Sequence, residues 1–172
     1  PVAFLVKAIA TALEDNAGFN RSLAGDGESY IQKQYCNIGM AVDTPRGLVV
    51  PVIRNTSSMG IWEIAGEVAQ LAEKAREGKL KPSDMQGGCF TLSSLGAIGG
   101  NGFTPIVNAP ELGILGVSKA QMKPVWNGHD FEPRLMLPLA LSYDHRLING
   151  GDAGRFMTQI VKLLSDIRHL AL

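Results

Sequence analysis

Net charge, cysteine and long apolar runs are all scarce in this sequence, and each scarcity excludes a class of function. Sixteen Lys and Arg offset sixteen Asp and Glu, for a formal net charge of zero. That balance leaves no electrostatic footprint for nucleic acid or an anionic membrane, and it permits self-association because copies repel one another little. No apolar run reaches the roughly eighteen residues that a membrane span needs, and no cleavable signal pattern is present. The two cysteines, Cys36 and Cys89, stand far apart in apolar strand-like runs, which predicts buried free thiols. Neither CxxC nor HExxH spacing occurs, so a metal site is not expected. Internal repeats, low-complexity segments and domain linkers are missing too, which points to one domain.

What is present is an ordinary apolar fraction over 172 residues, a length that buries about 70% of its unfolded surface as one domain. Residues 2–13 (VAFLVKAIATAL) predict a helix buried on most sides. It starts without a capping residue, and Pro1 is no native start, so a trimmed chain is expected. Residues 29–34 alternate as an exposed strand. Residues 36–42 and 48–53 predict a hairpin-like pair around Asp43-Thr44-Pro45-Arg46-Gly47, with Pro51 confining the second strand to an edge or bulge. Asp43 at that turn is a solvated turn residue first and a substrate contact second. Ser57 or Ser58 is expected to cap a helix over 62–77, closed by Gly78.

Residues 89–94 (CFTLSS) predict a short strand running into the glycine-rich stretch 95–102. That stretch lacks a GK[ST] ending and a βαβ setting, so it is neither a phosphate loop nor a dinucleotide fingerprint. Residues 103–111 are irregular and 112–117 a buried strand. Residues 119–126 and 131–143 predict an antiparallel pair around Asn127-Gly128. Within it, 135–141 reads as buried. Residues 151–172 predict an amphipathic helix with Phe156, Ile160, Leu163, Leu164 and Ile167 on one face, and 167–172 as an exposed apolar tail. The fold class expected is mixed α/β (α+β), with a mostly antiparallel or mixed sheet flanked by helices.

The chemistry concentrates at Ser142-Tyr143-Asp144-His145-Arg146-Leu147-Ile148-Asn149-Gly150. A histidine where a strand ends can take a proton near neutral pH. Asn149 follows four residues later, and a second strand end upstream carries Ser93 and Ser94. Asp144 and Arg146 are expected to hold the strand end rather than to touch substrate.

The run LPLALSYDHRLINGGDAGRF (137–156) closely resembles the active-site motif of dihydrolipoamide acyltransferases, the E2 cores of 2-oxo acid dehydrogenase complexes. Three further blocks agree in order and spacing: IGMAVDTPRGLVVPVIR (38–54), GCFTLSSLGAIGG (88–100) and FTPIVNAPELGILGVSK (103–119). The resemblance implies a chloramphenicol-acetyltransferase-like mixed sheet in a trimeric building block, with active sites at subunit boundaries. It implies residues 1–172 as a catalytic acyltransferase domain without its N-terminal part, the lipoyl and subunit-binding domains lying elsewhere. Ser93 and the NAPE block (108–111) look more like the pyruvate branch than the 2-oxoglutarate branch.

By the same resemblance His145 is the general base, Ser93 stabilises the tetrahedral intermediate, and Asn149 stands where many members have Asp. Coenzyme A is a substrate, and lipoamide arrives on a separate domain. The partners implied are further copies forming a homotrimer and a large core, lipoyl domains, and the E1 and E3 components, in a bacterial cytoplasm ahead of a mitochondrial matrix. Two alternatives come from other classes. One is a serine hydrolase using Ser93 or Ser94 with His145, against which the missing GxSxG elbow weighs. The other is a non-catalytic core subunit.

Overall fold

Helix α1 (Val2–Asp15) buries Leu5, Val6, Ala8, Ile9, Ala10, Ala12 and Leu13, which cover most of its circumference, as its nearly unbroken apolar run requires. Its single lysine, Lys7, reaches out to donate to the carbonyls of Ser57 and Met59 at 3.3 and 2.9 Å. The computed structural model that gives this architecture describes residues 1–96 and 100–171. The centre of the glycine-rich stretch (97–99) and Leu172 therefore lie outside the described residues.

After α1 come the short strands β1 (Arg21–Leu23) and β2 (Tyr30–Gln32), paired antiparallel at the surface. The central sheet has five strands: β3 (Ile38–Met40), β6 (Val52–Ile53), β7 (Phe90–Ser94), β8 (Gly113–Val117) and β11 (Leu139–Tyr143). Their order is β11-β8-β7-β3-β6, with β3–β7 and β7–β8 parallel and the outer pairs antiparallel, so the sheet is mixed. The remaining strands form two separate ribbons, β4 (Val42–Thr44) with β5 (Gly47–Val49), and β9 (Gln121–Trp126) with β10 (Phe131–Met136).

Side chains alternate across the sheet. Ile38, Met40, Phe90, Leu92, Leu115 and Val117 face the helices and join one apolar core. At its centre Phe19 stacks on Phe156 with ring centroids 4.4 Å apart, and Phe90 lies 5.3 Å from Phe156. Each such buried ring stabilises the fold by about 2–3 kcal/mol. The opposite face carries Gly39, Thr91, Ser93, Ile114 and Gly116, and segment 103–111 crosses it.

Several expectations are corrected. The pair predicted over 36–53 is two ladders, because Pro51 has no N–H to continue one: Met40 N donates to Pro51 O at 2.9 Å, and pairing resumes only at Val52. Strand β6 is then an edge, as Pro51 demanded. Helix α2 (Ile61–Arg76) starts after Gly60, whose N–H donates to Glu63 Oε2 at 2.7 Å. Ser57 and Ser58 belong instead to a preceding 3-10 turn, where Ser58 Oγ donates back to Asn55 O.

The stretch 135–141 is not one buried strand. It breaks between β10 and β11 at Leu137-Pro138, and Leu135 is 68% exposed because the β9–β10 ribbon stands away from the core. The C-terminal helix also divides. Helix α3 (Gly150–Ser165) stops at Asp166, whose carboxylate accepts from Arg168 N at 3.1 Å and begins α4 (Arg168–Ala171). Phe156, Ile160 and Leu163 are buried on one face of α3, whereas Ile167 is 59% exposed. In the tail, Leu170 is 4% exposed and belongs to the core, not to an apolar surface.

Candidate active site

His145 sits in the turn that follows β11. Pairing continues past the strand, since Asp144 N donates to Leu112 O at 2.9 Å. The chain then turns back, and Leu147 N and Ile148 N both donate to Asp144 O. Ile148, 2% exposed, pins the far side of the turn in the core. Arg146 closes the near side, its Nε and Nη2 donating to the Asp144 carboxylate at 2.9 and 2.6 Å. The Arg146 guanidinium therefore holds the Asp144 carboxyl below its ordinary value. Both charges are spent on each other, as expected of residues that hold the strand end.

His145 itself is exposed, with the Tyr143 ring 5.5 Å away centroid to centroid, and its side chain has no hydrogen-bond partner among the described residues. Asn149, also exposed, caps α3: its Oδ1 accepts from Asp152 N at 2.9 Å. That capping role was visible in sequence as an Asn opening a helix, but the motif drew attention to its neighbourhood with His145 instead.

Ser93 lies on the face away from the helices, partly buried, opposite Gly116 of β8. A Cβ on Gly116 would fall 3.0 Å from Phe103 and Pro105, so segment 103–111 lies directly on this part of the sheet. Ser94 is exposed, and its Oγ accepts from Gly96 N at 3.3 Å.

These residues are not brought together in one chain. Ser93 is level with Gly116, which is level with Ala140, and His145 lies five residues beyond Ala140. At about 3.3 Å per residue and 4.8 Å per strand, they stand on the order of 15–20 Å apart. Asp43 lies beyond the other end of β3, toward Ser93 and away from His145. It is exposed on the β4–β5 ribbon opposite Leu48.

A further pair escaped the sequence reading. Thr91 Oγ1 donates to Glu111 Oε2 at 2.6 Å, both side chains buried behind Ser93. Burial pushes the Glu111 carboxyl up, with the Thr91 hydroxyl opposing. The alternation of FTLSS, which puts Thr91 and Ser93 on one face, was the available signal.

Cys36 and Cys89 are both buried and free. Burial pushes the Cys36 thiol up to about 11 and raises that of Cys89, so neither is a nucleophile near neutral pH. Among the described residues no three His, Cys, Asp or Glu side chains gather as metal ligands, and no helix is long and apolar enough to cross a membrane.

A mixed sheet with helices on one face is the architecture of the chloramphenicol acetyltransferase fold. A solved chloramphenicol acetyltransferase superposes with a TM-score of 0.65 at 15% identity, over 95% of this chain and 77% of that one. The chain belongs to the 2-oxoacid dehydrogenases acyltransferase family (catalytic domain), whose model matches residues 1–172.

Among its relatives is the dihydrolipoyllysine-residue acetyltransferase component of the pyruvate dehydrogenase complex of Haemophilus influenzae, 56% identical over all of this chain and 30% of the relative. The chain spans about a third or less of the length of this relative and of a second, from Azotobacter vinelandii. Two solved structures superpose with a TM-score of 0.96 at 58% identity, over 99% of this chain and 70% of theirs. One addresses the role of a serine, a histidine and an asparagine in the catalytic mechanism of Azotobacter vinelandii dihydrolipoamide acetyltransferase. The other is the cubic core of the pyruvate dehydrogenase multienzyme complex.

Proposed function

We propose that residues 1–172 are the catalytic portion of a longer dihydrolipoamide acetyltransferase, moving an acetyl group between a dihydrolipoyl thiol and coenzyme A. One observation carries this reading. The interval from Ser93 to His145, and that from His145 to Asn149, equal the intervals between the serine, histidine and asparagine studied in the Azotobacter enzyme. The two chains superpose over nearly all of this one.

The chemistry follows from what each side chain can do. A thiol attacks well only as its thiolate, and a free thiol ionises about a unit or more above neutral pH. His145, as general base, takes the proton of the coenzyme A thiol while the sulfur attacks the thioester carbon. The new C–S bond leaves a tetrahedral oxyanion, and the Ser93 hydroxyl donates to it. Collapse breaks the bond to the lipoyl sulfur, which takes the proton back from the imidazolium. No acyl-enzyme forms. Asn149 fixes the start of α3 and so the far side of the His145 turn.

Because Ser93 and His145 stand at opposite ends of the sheet, the site is completed by a second copy: His145 of one protomer meets Ser93 of the next, in a homotrimer. The exposed apolar side chains of the β9–β10 ribbon, Met122, Trp126, Phe131 and Leu135, supply a surface for such contacts. Trimers build a larger core, served by lipoyl domains and by the E1 and E3 components. The named relatives are bacterial, which supports a bacterial cytoplasm. Asp43, on the Ser93 side, is the remaining candidate for a substrate contact.

The test is acetyl transfer between acetyl-coenzyme A and dihydrolipoamide, beside a panel of other acyl thioesters. His145→Ala is expected to lose on the order of a thousandfold in kcat with an unaltered particle, and Ser93→Ala on the order of a hundredfold. Unchanged turnover in His145→Ala removes the mechanism.

A further inference from the structure

Behind Ser93 lies a cluster that this chemistry does not use. Glu111 is only 5% exposed and Thr91 1%, and their side chains share the 2.6 Å hydrogen bond. Asn108 Nδ2 lies 3.5 Å from the other carboxylate oxygen. Two glycines make room for the pair. A Cβ at Gly88 would collide with Glu111 Oε1, and one at Gly39 would fall 2.8 Å from Thr91 Oγ1. Lys33 is the nearby cation, but its Nζ donates to Gly88 O at 3.0 Å, and no ion pair to Glu111 forms among the described residues. Burying a carboxyl without a charged partner is unfavourable, and an apolar pair of similar size would cost less.

What the bond joins explains why it is there. Thr91 is two residues before Ser93 on the same face of β7, so the two share one stretch of backbone. Glu111 ends segment 103–111, and Phe103 and Pro105 of that segment lie over Gly116, the residue paired with Ser93. The Thr91–Glu111 bond therefore ties the strand that carries Ser93 to the segment that walls it. We propose that Glu111, through Thr91, is a positioning residue for the Ser93 hydroxyl. This inference rests on the reading of Ser93 as the oxyanion donor.

The experiment uses the full-length protein with Thr91→Val, Thr91→Ser, Glu111→Gln, Ser93→Ala and the Thr91→Val/Ser93→Ala double variant. It measures kcat and KM for acetyl transfer, with backbone amide exchange over 91–95 and 103–108. Thr91→Val is expected to lower kcat about tenfold or more, because small misplacements of a reacting group are costly. KM should stay within about twofold, the pattern of an interaction made only in the transition state. Thr91→Ser keeps the donor and Glu111→Gln keeps an acceptor, so both stay near wild type.

Exchange in both segments quickens in Thr91→Val alone among the Thr91 and Glu111 variants. In the Ser93→Ala background Thr91→Val costs nothing further. Wild-type kcat in Thr91→Val, or an equal loss in the Ser93→Ala background, overturns the inference while leaving the transfer mechanism standing. Wild-type turnover by Ser93→Ala removes that mechanism and the inference together.

Discussion

Ser93 and His145 occupy opposite ends of one five-stranded sheet, Ser93 level with Ala140 through Gly116 and His145 five residues past Ala140. Within a chain the imidazole cannot take a proton from anything the serine hydroxyl contacts. A Ser93–His145 hydrolase dyad inside one protomer is therefore excluded by distance, and shared chemistry requires two copies arranged head to tail.

Mixing subunits tests this directly. Ser93→Ala and His145→Ala variants, each with transfer strongly lowered when alone, are unfolded together and reassembled. Random assembly places an intact His145 against an intact Ser93 at about a quarter of head-to-tail boundaries, and transfer should recover to about that fraction. No recovery in particles shown by mass spectrometry to be mixed would place the two residues in separate events.

Asn149 has a structural duty separable from any chemical one. Asn149→Ala deletes the acceptor for Asp152 N and should destabilise the protein by about 1 kcal/mol, roughly 2–4 °C in melting temperature for a chain of this size. Asn149→Asp keeps an acceptor at the helix N-terminus and should melt no lower than the parent. Calorimetry that finds Asn149→Ala unchanged would show the cap to be idle.

The β9–β10 ribbon is a two-stranded sheet with Met122 opposite Leu135, both well over half exposed. An isolated ribbon is marginal in water, so its order depends on what covers it. Leu135→Glu places a charge on that surface and should yield monomers by sedimentation, with transfer lost although His145 and Ser93 are untouched. A Leu135→Glu trimer with full activity would assign the ribbon elsewhere.

Glu111 makes stability depend on pH in a defined direction. Its folded carboxyl titrates above the ordinary value of 4.5, so over that window the folded chain holds a proton that the unfolded chain has released. The stabilisation is complete below the unfolded value and is lost as pH rises toward the folded one. Lys33, which favours the ionised form, and Cys89, whose thiol is itself raised by burial, are the titratable groups that face it. Denaturant unfolding from about pH 4 to 8 should show wild type losing stability relative to Glu111→Gln, with the difference flat at the acid end. A parallel pair of curves would mean that folding leaves the titration of the Glu111 carboxyl unshifted.

Much of the site was legible in the chain because its signals are local. The Asp144–Arg146 pair spans two residues, the strand end before His145 shows in the apolar run, and the Asn127-Gly128 turn forms with Asn127 Oδ1 accepting from His129 N and Asp130 N at 2.8 Å. Boundaries decided by which of several neighbouring caps wins were not legible. Gly60 displaced Ser57 and Ser58 as a helix start through a bond from its own N–H to Glu63, and Asp166 divided the last helix by capping its successor. The Thr91–Glu111 bond joins positions twenty residues apart, and no spacing rule announces it.

From residues alone came the mixed class, the family resemblance, and the candidates His145, Ser93 and Asn149, since these depend on side-chain type and on order along the chain. Strand order and direction were decided only in three dimensions. Parallel β7 and β8 beside antiparallel β11 send the serine and the histidine to opposite ends of the sheet. The same packing buried Leu170 and left Leu135 in solvent, because whether an apolar side chain is covered depends on which distant elements reach it.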